Sequence, residues 1–368
     1  MMPKHNMTAM PGSRMTGFTL VELMVSMTLS LILLAGALSI LYSSKLTSSE
    51  NERVARMQEA GRTALELIRQ DARASGYAGC ARPHNASYGF TYNTTGLNNN
   101  TLLWDFSKPM FGFDGTSSGW NPALDPAIPA SPAPASGSDI MVVRTARTGS
   151  PIFRAPASGV SGSAAIAVQA DPNVSLVTPA PMIISDCKSA EVFIATGVTG
   201  TGSSLQILHA AGGTPAGNTS SSLTNSYQIG ALLQPVQTVI YYIASCTAIG
   251  GPCTAITPPA LWQIAPTDQP GGAQPQELIQ GVEAMQIKYG VDTDGDFLAN
   301  SYVTADLVAD WTRVVSINLA ILIRSVDQTG VDKDTRTYTL LDKSYGPFND
   351  RRTRSVYTTT ISLRNDTT

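Results

Sequence analysis

One apolar run dominates the start of this 368-residue chain. Over residues 18–42 the only charged residue is Glu22. At about 1.5 Å per residue, a helix of this length covers a hydrocarbon core of about 30 Å, so the run predicts a membrane-spanning segment. A carboxylate inside lipid costs about 2.5 kcal/mol or more. Glu22 therefore needs a positively charged partner, and the run itself contains none.

The residues around this acid resemble a known processing signal. The motif Gly17-Phe18-Thr19-Leu20-Val21-Glu22 is similar to the class III signal of type IV pilins and type II secretion pseudopilins. The resemblance implies that prepilin peptidase cuts after Gly17 and methylates the new N-terminal Phe18. It also implies that Glu22 meets the N-terminal amine of Phe18 of an adjacent subunit during assembly, which supplies the missing cation.

Two other interpretations of the run are disfavoured. An ordinary secretory signal also has a basic start, and Ala35-Gly36-Ala37 offers an A-x-A-like cleavage site. The apolar part of such a signal spans about 7 to 15 residues, whereas this run is longer and carries Glu22. A plain uncleaved membrane anchor is the second alternative.

The charge distribution assigns the two ends of the run to opposite sides of a membrane. Residues 1–17 contain Lys4, His5 and Arg14 and no acid, which by the positive-inside rule keeps them cytoplasmic. Everything after Tyr42 is then expected in the periplasm of a Gram-negative host. The resemblance to pilins implies that the mature protein is later part of the pilus on the cell surface. The formal net charge is −3, and removal of residues 1–17 lowers it to −5. Direct nucleic-acid binding is therefore not expected.

The helical pattern continues beyond the membrane run. Apolar residues recur at i, i+3, i+4 and i+7 spacing, and the opposite face is charged. No proline interrupts the pattern before Pro83, and Gly76 and Gly79 form a stop signal. We therefore expect one helix over residues 18–75, on the order of 85 Å long, with its transmembrane half at residues 18–42. The alternative is two helices separated at a serine- and threonine-rich junction.

Residues 76–138 differ in composition from both neighbours. They are rich in glycine and asparagine and contain five prolines from Pro122 to Pro134. Such a stretch buries too little apolar area to form its own core, which predicts a loop-rich excursion from the following domain. Docking on that domain is the favoured role of its aromatic side chains, and glycan binding is the alternative; these residues are Trp104, Phe106, Phe111, Phe113 and Trp120.

From Asp139 onward, apolar residues tend to recur at every second position. Residues 139–368 are therefore predicted to form a mainly antiparallel β domain, and the whole chain an α+β fold with a long N-terminal helix. The clearest alternations are residues 284–291 and 314–323. The remaining expected strands are 140–144, 165–169, 175–177, 191–196, 205–208, 236–244, 261–264 and 355–363.

Three closing segments resemble the PilW family of minor pilins. They are residues 282–290, 314–319 and 357–365. The resemblance implies a type IV pilin-like fold and a low-abundance subunit that helps to initiate pilus assembly and lies near the tip. The partners it implies are other minor pilins, the major pilin, prepilin peptidase, the inner-membrane assembly platform and a tip adhesin.

Two alternatives to a minor pilin remain open. One is a J-type minor pseudopilin of type II secretion, which shares the signal and the general architecture. The other is a membrane-anchored periplasmic adhesin or binding module, in which the central excursion contacts a ligand. For a pilus subunit, the sequence does not distinguish between twitching, attachment and DNA uptake.

All four cysteines fall on the far side of the predicted membrane segment, where disulfides form and persist. Cys80, Cys187, Cys246 and Cys253 allow three pairings. Because only a short, turn-rich loop separates Cys246 from Cys253, we predict that these two pair. Cys80 then pairs with Cys187 and joins the end of the long helix to the β domain. The sequence has no C-x-x-C pair and only isolated histidines, which disfavours zinc.

Three aspartates stand at alternate positions in the C-terminal region. Asp292, Asp294 and Asp296 resemble the first half of an EF-hand-like calcium loop. Such a loop has glycine where Phe297 stands and glutamate where Val303 stands, so an EF-hand itself is not predicted. Calcium in another oxygen cage is the one cofactor that the sequence suggests, and a solvated hairpin turn is the alternative.

No catalytic pattern is apparent in the sequence. It has no G-x-S-x-G elbow and no phosphate-binding P-loop, and it contains only three histidines. These observations favour a structural, non-enzymatic protein.

Overall fold

The computed structural model describes most of the chain. The described residues are 17, 19–77, 79, 91–93, 96–97, 101–129, 131–147, 149–155, 160–162, 165–169, 176–201, 204–213, 217–245, 258–265, 274–328 and 332–363. Contacts divide the chain into two units, residues 1–54 and residues 55–368.

The predicted long helix is confirmed. Helix α1 runs without interruption over Leu20–Arg73, a length of 54 residues. Its part within the first unit exposes nearly every large apolar side chain, and an 18-residue window there has a mean hydropathy of 2.2. By length and composition this part can span a membrane.

Within the second unit, the C-terminal part of α1 packs against the β structure. Met57, Ala64, Ile68 and Ala72 are buried in a core shared with the strands. Gly61 lies against the aromatic ring of Tyr357, where an added Cβ would come within 2.9 Å of ring carbons. A small residue at this position therefore lets the helix approach the sheet closely.

This contact predicts that a larger residue at position 61 is costly. Gly61→Leu is expected to lower the free energy of unfolding by about 1–3 kcal/mol, because overpacking displaces a well-packed ring. Denaturant unfolding of the detergent-solubilised full chain measures the effect. Gly36→Leu is the matched control, since nothing lies within 4 Å of that position. Equal stability of the two variants would contradict the prediction.

The described β structure comprises one large sheet, one four-stranded sheet and two two-stranded sheets. Its strands are β1 (Thr91–Asn93), β2 (Met110–Thr116), β3 (Gly119–Asn121), β4 (Ile140–Ala146), β5 (Phe153–Arg154), β6 (Val160–Ser161), β7 (Ala165–Gln169), β8 (Ala180–Ser185), β9 (Ser189–Ala195), β10 (Gly197–Thr201), β11 (Ser204–Leu208), β12 (Ser226–Tyr227), β13 (Leu232–Ala244), β14 (Ala260–Ala265), β15 (Gln274–Gln280), β16 (Val282–Val291), β17 (Ser301–Val303), β18 (Val314–Arg324), β19 (Tyr338–Leu340), β20 (Lys343–Tyr345) and β21 (Arg354–Ser362). Two short 3-10 helices, Ala305–Leu307 and Trp311–Arg313, precede β18.

The long strand β13 belongs to both halves of the large sheet. Its first residues pair with β5 and β8, and its later residues pair with β4 and β14. The half around β5 and β7–β11 has a separate apolar core that includes Phe153, Phe193 and Leu233. Within the described residues every strand pair except β1 with β9 is antiparallel, which confirms the predicted mainly antiparallel β domain.

The four-stranded sheet has the order β17-β16-β18-β21. In it, Ile287 pairs with Leu319 and Tyr289 pairs with Ile317, and all four side chains are buried in the core that also holds the end of α1. The two strongest sequence alternations therefore form neighbouring central strands. The other face of these strands carries a smaller apolar cluster, which includes Ala320 and Leu322.

Some strands differ from the sequence-based expectation. Residues 176 and 177 are not in a strand, and residue 175 lies outside the described residues. Strand β8 was not predicted, because Pro181 within it is a residue that normally argues against a central strand. Strand β15, which contains Pro275, was missed for the same reason.

The described part of the region predicted as an excursion contributes to the large sheet. Within residues 76–138, strand β2 pairs with β4. The side chains of Phe106 and Phe113 are buried, and those of Trp104, Phe111 and Trp120 are partly buried against the sheet cores. These aromatic residues dock on the domain.

Candidate assembly and processing site

The residues that the sequence assigns to processing and assembly lie at the start of α1. Gly17 is exposed, with no heavy atom within 4 Å of the position of an added Cβ. Phe18 lies outside the described residues. The site that positions the chemistry is therefore the first turn of the helix, which begins at Leu20.

Glu22 closes this first turn through a reciprocal capping box with Thr19. The backbone N–H and the hydroxyl of Thr19 donate to Oε2 of Glu22 at 3.1 and 3.0 Å. The backbone N–H of Glu22 donates to Oγ1 of Thr19 at 3.2 Å. Two N–H groups that a helix start leaves without partners are satisfied in this way, and the carboxylate lies at the positive end of the helix dipole.

This intramolecular role of Glu22 was missed in the sequence analysis. The signal that reveals it is the Thr-x-x-Glu spacing, which is typical of a helix N-terminus. Both contacts use Oε2, and among the described residues no hydrogen bond to Oε1 is seen. The cap therefore leaves one carboxylate oxygen accessible to a donor from another chain.

The cysteines lie mostly outside the described residues. Cys187 is disulfide-bonded and adopts a φ of +69° in the turn between β8 and β9. The other three cysteines, Cys80, Cys246 and Cys253, lie outside the described residues, and the partner of Cys187 is one of them. An added Cβ on Gly79 would come within 2.6 Å of Ser185, so the chain immediately before Cys80 lies against the end of β8.

The flanking residues support the predicted pairings, which stay predictions. The contact of Gly79 with Ser185 brings the two chain segments next to Cys80 and Cys187 together. In the other pair, Ala244 of β13 is the register partner of Ala260 of β14. The second pair of cysteines therefore falls within the connection between two adjacent antiparallel strands.

The three aspartates after β16 lie close together. Oxygen atoms of Asp292, Asp294 and Asp296 are within 4.8 Å of one another. Asp292 is buried, and its Oδ1 accepts hydrogen bonds from the N–H groups of Asp294 and Gly295 at 3.1 and 2.6 Å. Its Oδ2 accepts from the N–H of Phe297 at 2.9 Å. The buried carboxylate of Asp292 thus stabilises the turn by accepting hydrogen bonds from its backbone N–H groups.

The exposed aspartates of this turn fit the donor chemistry of calcium. Calcium takes about 6–8 oxygen ligands, mostly carboxylates, carbonyls and water. Asp292 already accepts three N–H groups, so Asp294 and Asp296 are the carboxylates best placed to bind an ion. Calcium binding stays a prediction.

Titration calorimetry of the full chain with calcium tests it. A binding heat is expected, and Asp294→Ala should weaken it. If no heat is seen at millimolar calcium, the three aspartates form a solvated turn that binds no calcium.

The same turn predicts a loss of stability in acid. Burial alone raises the pKa of Asp292, but N–H donors from Gly295, Phe297 and Asp294 outweigh burial and hold this pKa below its usual range. A carboxyl of lowered folded pKa stabilises the fold above its unfolded pKa of about 3.9. That contribution is lost as the pH falls through the folded value.

Asp292→Asn tests this pH dependence. At neutral pH the free energy of unfolding is expected to fall by about 1–3 kcal/mol, because an amide cannot accept all three N–H groups. In strong acid, the protonated aspartate loses the same advantage, and the difference should shrink. Asp294→Asn, an exposed change in the same turn, is the control. A difference that is independent of pH would contradict the assignment.

A buried ionic cluster surrounds Arg354 at the start of β21. Its guanidinium forms two bonds with Glu283 of β16, at 2.6 and 3.1 Å, and two with Asp350, at 2.6 and 2.8 Å. A further bond of 3.3 Å reaches Asp334. The guanidinium carbon lies 3.8 Å from the ring centroid of Phe348. The Arg354 side chain has no exposed surface, so its charge is fully enclosed by these partners.

Two family models match the chain. Residues 12–38 match the prokaryotic N-terminal methylation motif, and residues 240–365 match type IV pilus-assembly protein W. No curated protein and no solved structure matches. The first match contains Gly17 and Glu22, and the second contains the four-stranded sheet and the Arg354 cluster. The chain is therefore similar to type IV pilus-assembly protein W over residues 240–365, and it carries the prokaryotic N-terminal methylation motif over residues 12–38.

Proposed function

We propose that this protein is a structural, non-enzymatic minor pilin that helps to initiate type IV pilus assembly and lies near the pilus tip. The observation that carries the proposal is the order of parts along one chain. The chain begins with a match to the methylation motif, and an apolar helix follows. An 18-residue window of this helix is apolar enough to cross a membrane and has no buried residue, and the sheet matched to type IV pilus-assembly protein W comes after it. Exposed apolar surface on this scale requires cover. Lipid provides it before assembly, and the helices of neighbouring pilins provide it afterwards.

The proposal includes a defined topology and processing route. The basic leader stays cytoplasmic, the helix crosses the inner membrane, and the β domain lies in the periplasm until the subunit enters the filament. Prepilin peptidase cuts after Gly17 and methylates Phe18. The inner-membrane assembly platform, the major pilin, other minor pilins and a tip adhesin are the partners of the mature subunit.

Glu22 provides the assembly contact in this proposal. Its Oε2 stays in the capping box with Thr19, and its Oε1 accepts from the N-terminal amine of Phe18 of the adjacent subunit. Both charges are costly in lipid when alone and compensate each other when paired. The pair therefore favours the assembled state over the isolated subunit.

The N-terminus of the mature protein tests the proposal. Mass spectrometry of protein purified from membranes is expected to show a chain that begins with methylated Phe18. Gly17→Val should retain the leader, because the residue before the cut then carries a branched side chain, whereas Gly12→Ala should be processed as the parent. A mature start at Leu38, or an intact leader in the parent, would overturn the pilin assignment.

Co-purification separates the pilus from the secretion alternative. A minor pilin should be recovered with other minor pilins of a type IV pilus, and a J-type pseudopilin should be recovered with type II secretion subunits. The match to type IV pilus-assembly protein W supports the first outcome.

One observation favours an additional binding role. A cleft of about 390 Å³ lies between β2 and the residues that follow β3, outside the region matched to the PilW family. Asp105, Lys108, Phe111 and Asp125 are among its lining residues. Its volume is in the range of about 300–1,000 Å³ that is typical of ligand pockets. A glycan array probed with the full chain and with Asp125→Ala tests an adhesin function.

A further inference from the structure

Lys343, Asp114 and Asp139 meet where the β19–β20 sheet contacts the large sheet. The Lys343 ammonium donates to Oδ1 of Asp114 at 2.9 Å and to the carbonyl of Gly115 at 2.6 Å. It lies 3.6 Å from Oδ1 of Asp139. The exposed fractions of the lysine and the two aspartate side chains are 28%, 12% and 4%. An amine and a carboxyl are therefore in contact beside a second, almost completely buried carboxyl.

Asp139 is held in a fixed position between two sheets. Its Oδ1 accepts from the N–H of Gly115 at 2.8 Å, and its Oδ2 accepts from the N–H of Ile287 on β16 at 2.8 Å. Burial raises the pKa of Asp139 to about 7, although the N–H of Gly115 and the charge of Lys343 oppose the rise. Near neutral pH, this carboxyl can therefore both accept and donate a proton, as general acid–base chemistry requires.

We propose that Lys343 and Asp114 form an intramolecular amide bond, with Asp139 as the acid–base group that transfers the protons. Asp139 takes one proton from the Lys343 ammonium and passes it to a carboxyl oxygen of Asp114. The neutral Nζ then attacks Cγ of Asp114, and a carbon–nitrogen bond forms. A second proton follows the same route from the nitrogen to that oxygen, which leaves as water. One ammonium and one carboxylate thus become one amide and one water, with no oxidant or reductant.

Proximity supplies the driving force for this condensation. Well-oriented groups within one molecule react as if at an effective concentration of about 10⁵–10⁸ M. Burial of Asp139, and of most of Asp114, limits the access of water that would reverse the reaction. The product joins β2, which lies outside the family match, to β20, which lies inside it. A covalent link between these parts would let a filament subunit resist unfolding under tension.

Peptide mapping of the full chain tests the bond. We expect a branched tryptic peptide in which Lys343 is joined to Asp114, together with an intact mass that is lower by one water after reduction and alkylation. Lys343→Arg should restore the full mass and abolish the branched peptide. Lys288 and Asp342 form an ion pair of 3.1 Å whose side chains are 26% and 45% exposed, and this more solvated pair is the internal control that should stay unlinked.

Two outcomes would overturn the proposal. One is tryptic cleavage after Lys343 with no branched peptide in the parent protein after prolonged incubation at neutral pH. The other is a loss of water without a branched peptide, because the sequence Asp114-Gly115 can also dehydrate to a succinimide, which would persist in Lys343→Arg. Asp139→Asn is expected to leave the chain unlinked while its circular dichroism still shows the folded β domain. A branched peptide formed at the parental rate in that variant would exclude the role of Asp139.

Discussion

Arg354→Ala is expected to lower the free energy of unfolding by about 3–5 kcal/mol, because it removes the fully buried cation that three acids share. Glu283 and Asp350 each form two bonds with the guanidinium, and Asp334 forms one. Each acid keeps a second, more exposed arginine, which compensates only in part. These partners are Arg324 for Glu283 at 3.1 Å, Arg336 for Asp334 at 2.9 Å and Arg352 for Asp350 at 3.7 Å. The variant should therefore lose the side-chain link between β21 and β16, and β21, which pairs with β18 at the edge of the sheet, should open first.

Denaturant unfolding of the full chain measures this loss, and hydrogen exchange of β21 locates it. Arg354→Lys keeps the charge but cannot form two parallel pairs of bonds, so an intermediate loss of stability is expected. Arg336→Ala is the matched control. Its side chain is 64% exposed and pairs with the same Asp334, so a change of about 0–1 kcal/mol is expected. Arg354→Ala with the stability of Arg336→Ala would show that the cluster does not hold the sheet.

The sequence predicts those parts of the fold in which apolar residues recur at a regular spacing over a long stretch. The C-terminal part of α1 and strands β16 and β18 have such a spacing, because their regularly spaced apolar residues pack into one shared core. The strand β2 was not predicted, since Gly112 and Gly115 make it look like a turn. An added Cβ on Gly112 would lie 2.0 Å from the hydroxyl of Tyr289. The glycine is required there by the close approach of two sheets, which no local pattern reveals.

The candidate site was predictable to a similar extent. The processing motif and the charge of Glu22 are contiguous in sequence, so a role for them could be predicted from the sequence alone. The capping partner Thr19 lies only three residues before Glu22, so this contact could also have been predicted from the sequence. By contrast, the pairing of Arg354 with Glu283 spans 71 positions, and the approach of Lys343 to Asp114 spans 229. Contacts of this kind depend on sheet topology, which the sequence pattern of an insertion-rich β domain does not determine.

Glu22→Leu is expected to reduce surface piliation several-fold while the protein is still inserted and still cut after Gly17. The leucine relieves the isolated subunit of a charge in lipid and removes the proposed attraction to the Phe18 amine of its neighbour. The variant should therefore co-purify poorly with other minor pilins. Immunoblotting of sheared filaments and affinity recovery from detergent-solubilised membranes give the two measurements.

Two further variants separate the charge of Glu22 from its role in the helix cap. Glu22→Gln keeps an oxygen that accepts from the N–H and hydroxyl of Thr19, since glutamine also forms capping boxes. Only the charge is lost, so piliation should fall several-fold, as in Glu22→Leu. Thr19→Val removes the hydroxyl of the cap but leaves the carboxylate, so assembly should persist with a less stable first turn. If Glu22→Gln supports piliation as the parent does, the capping box rather than the ion pair is the function of this residue.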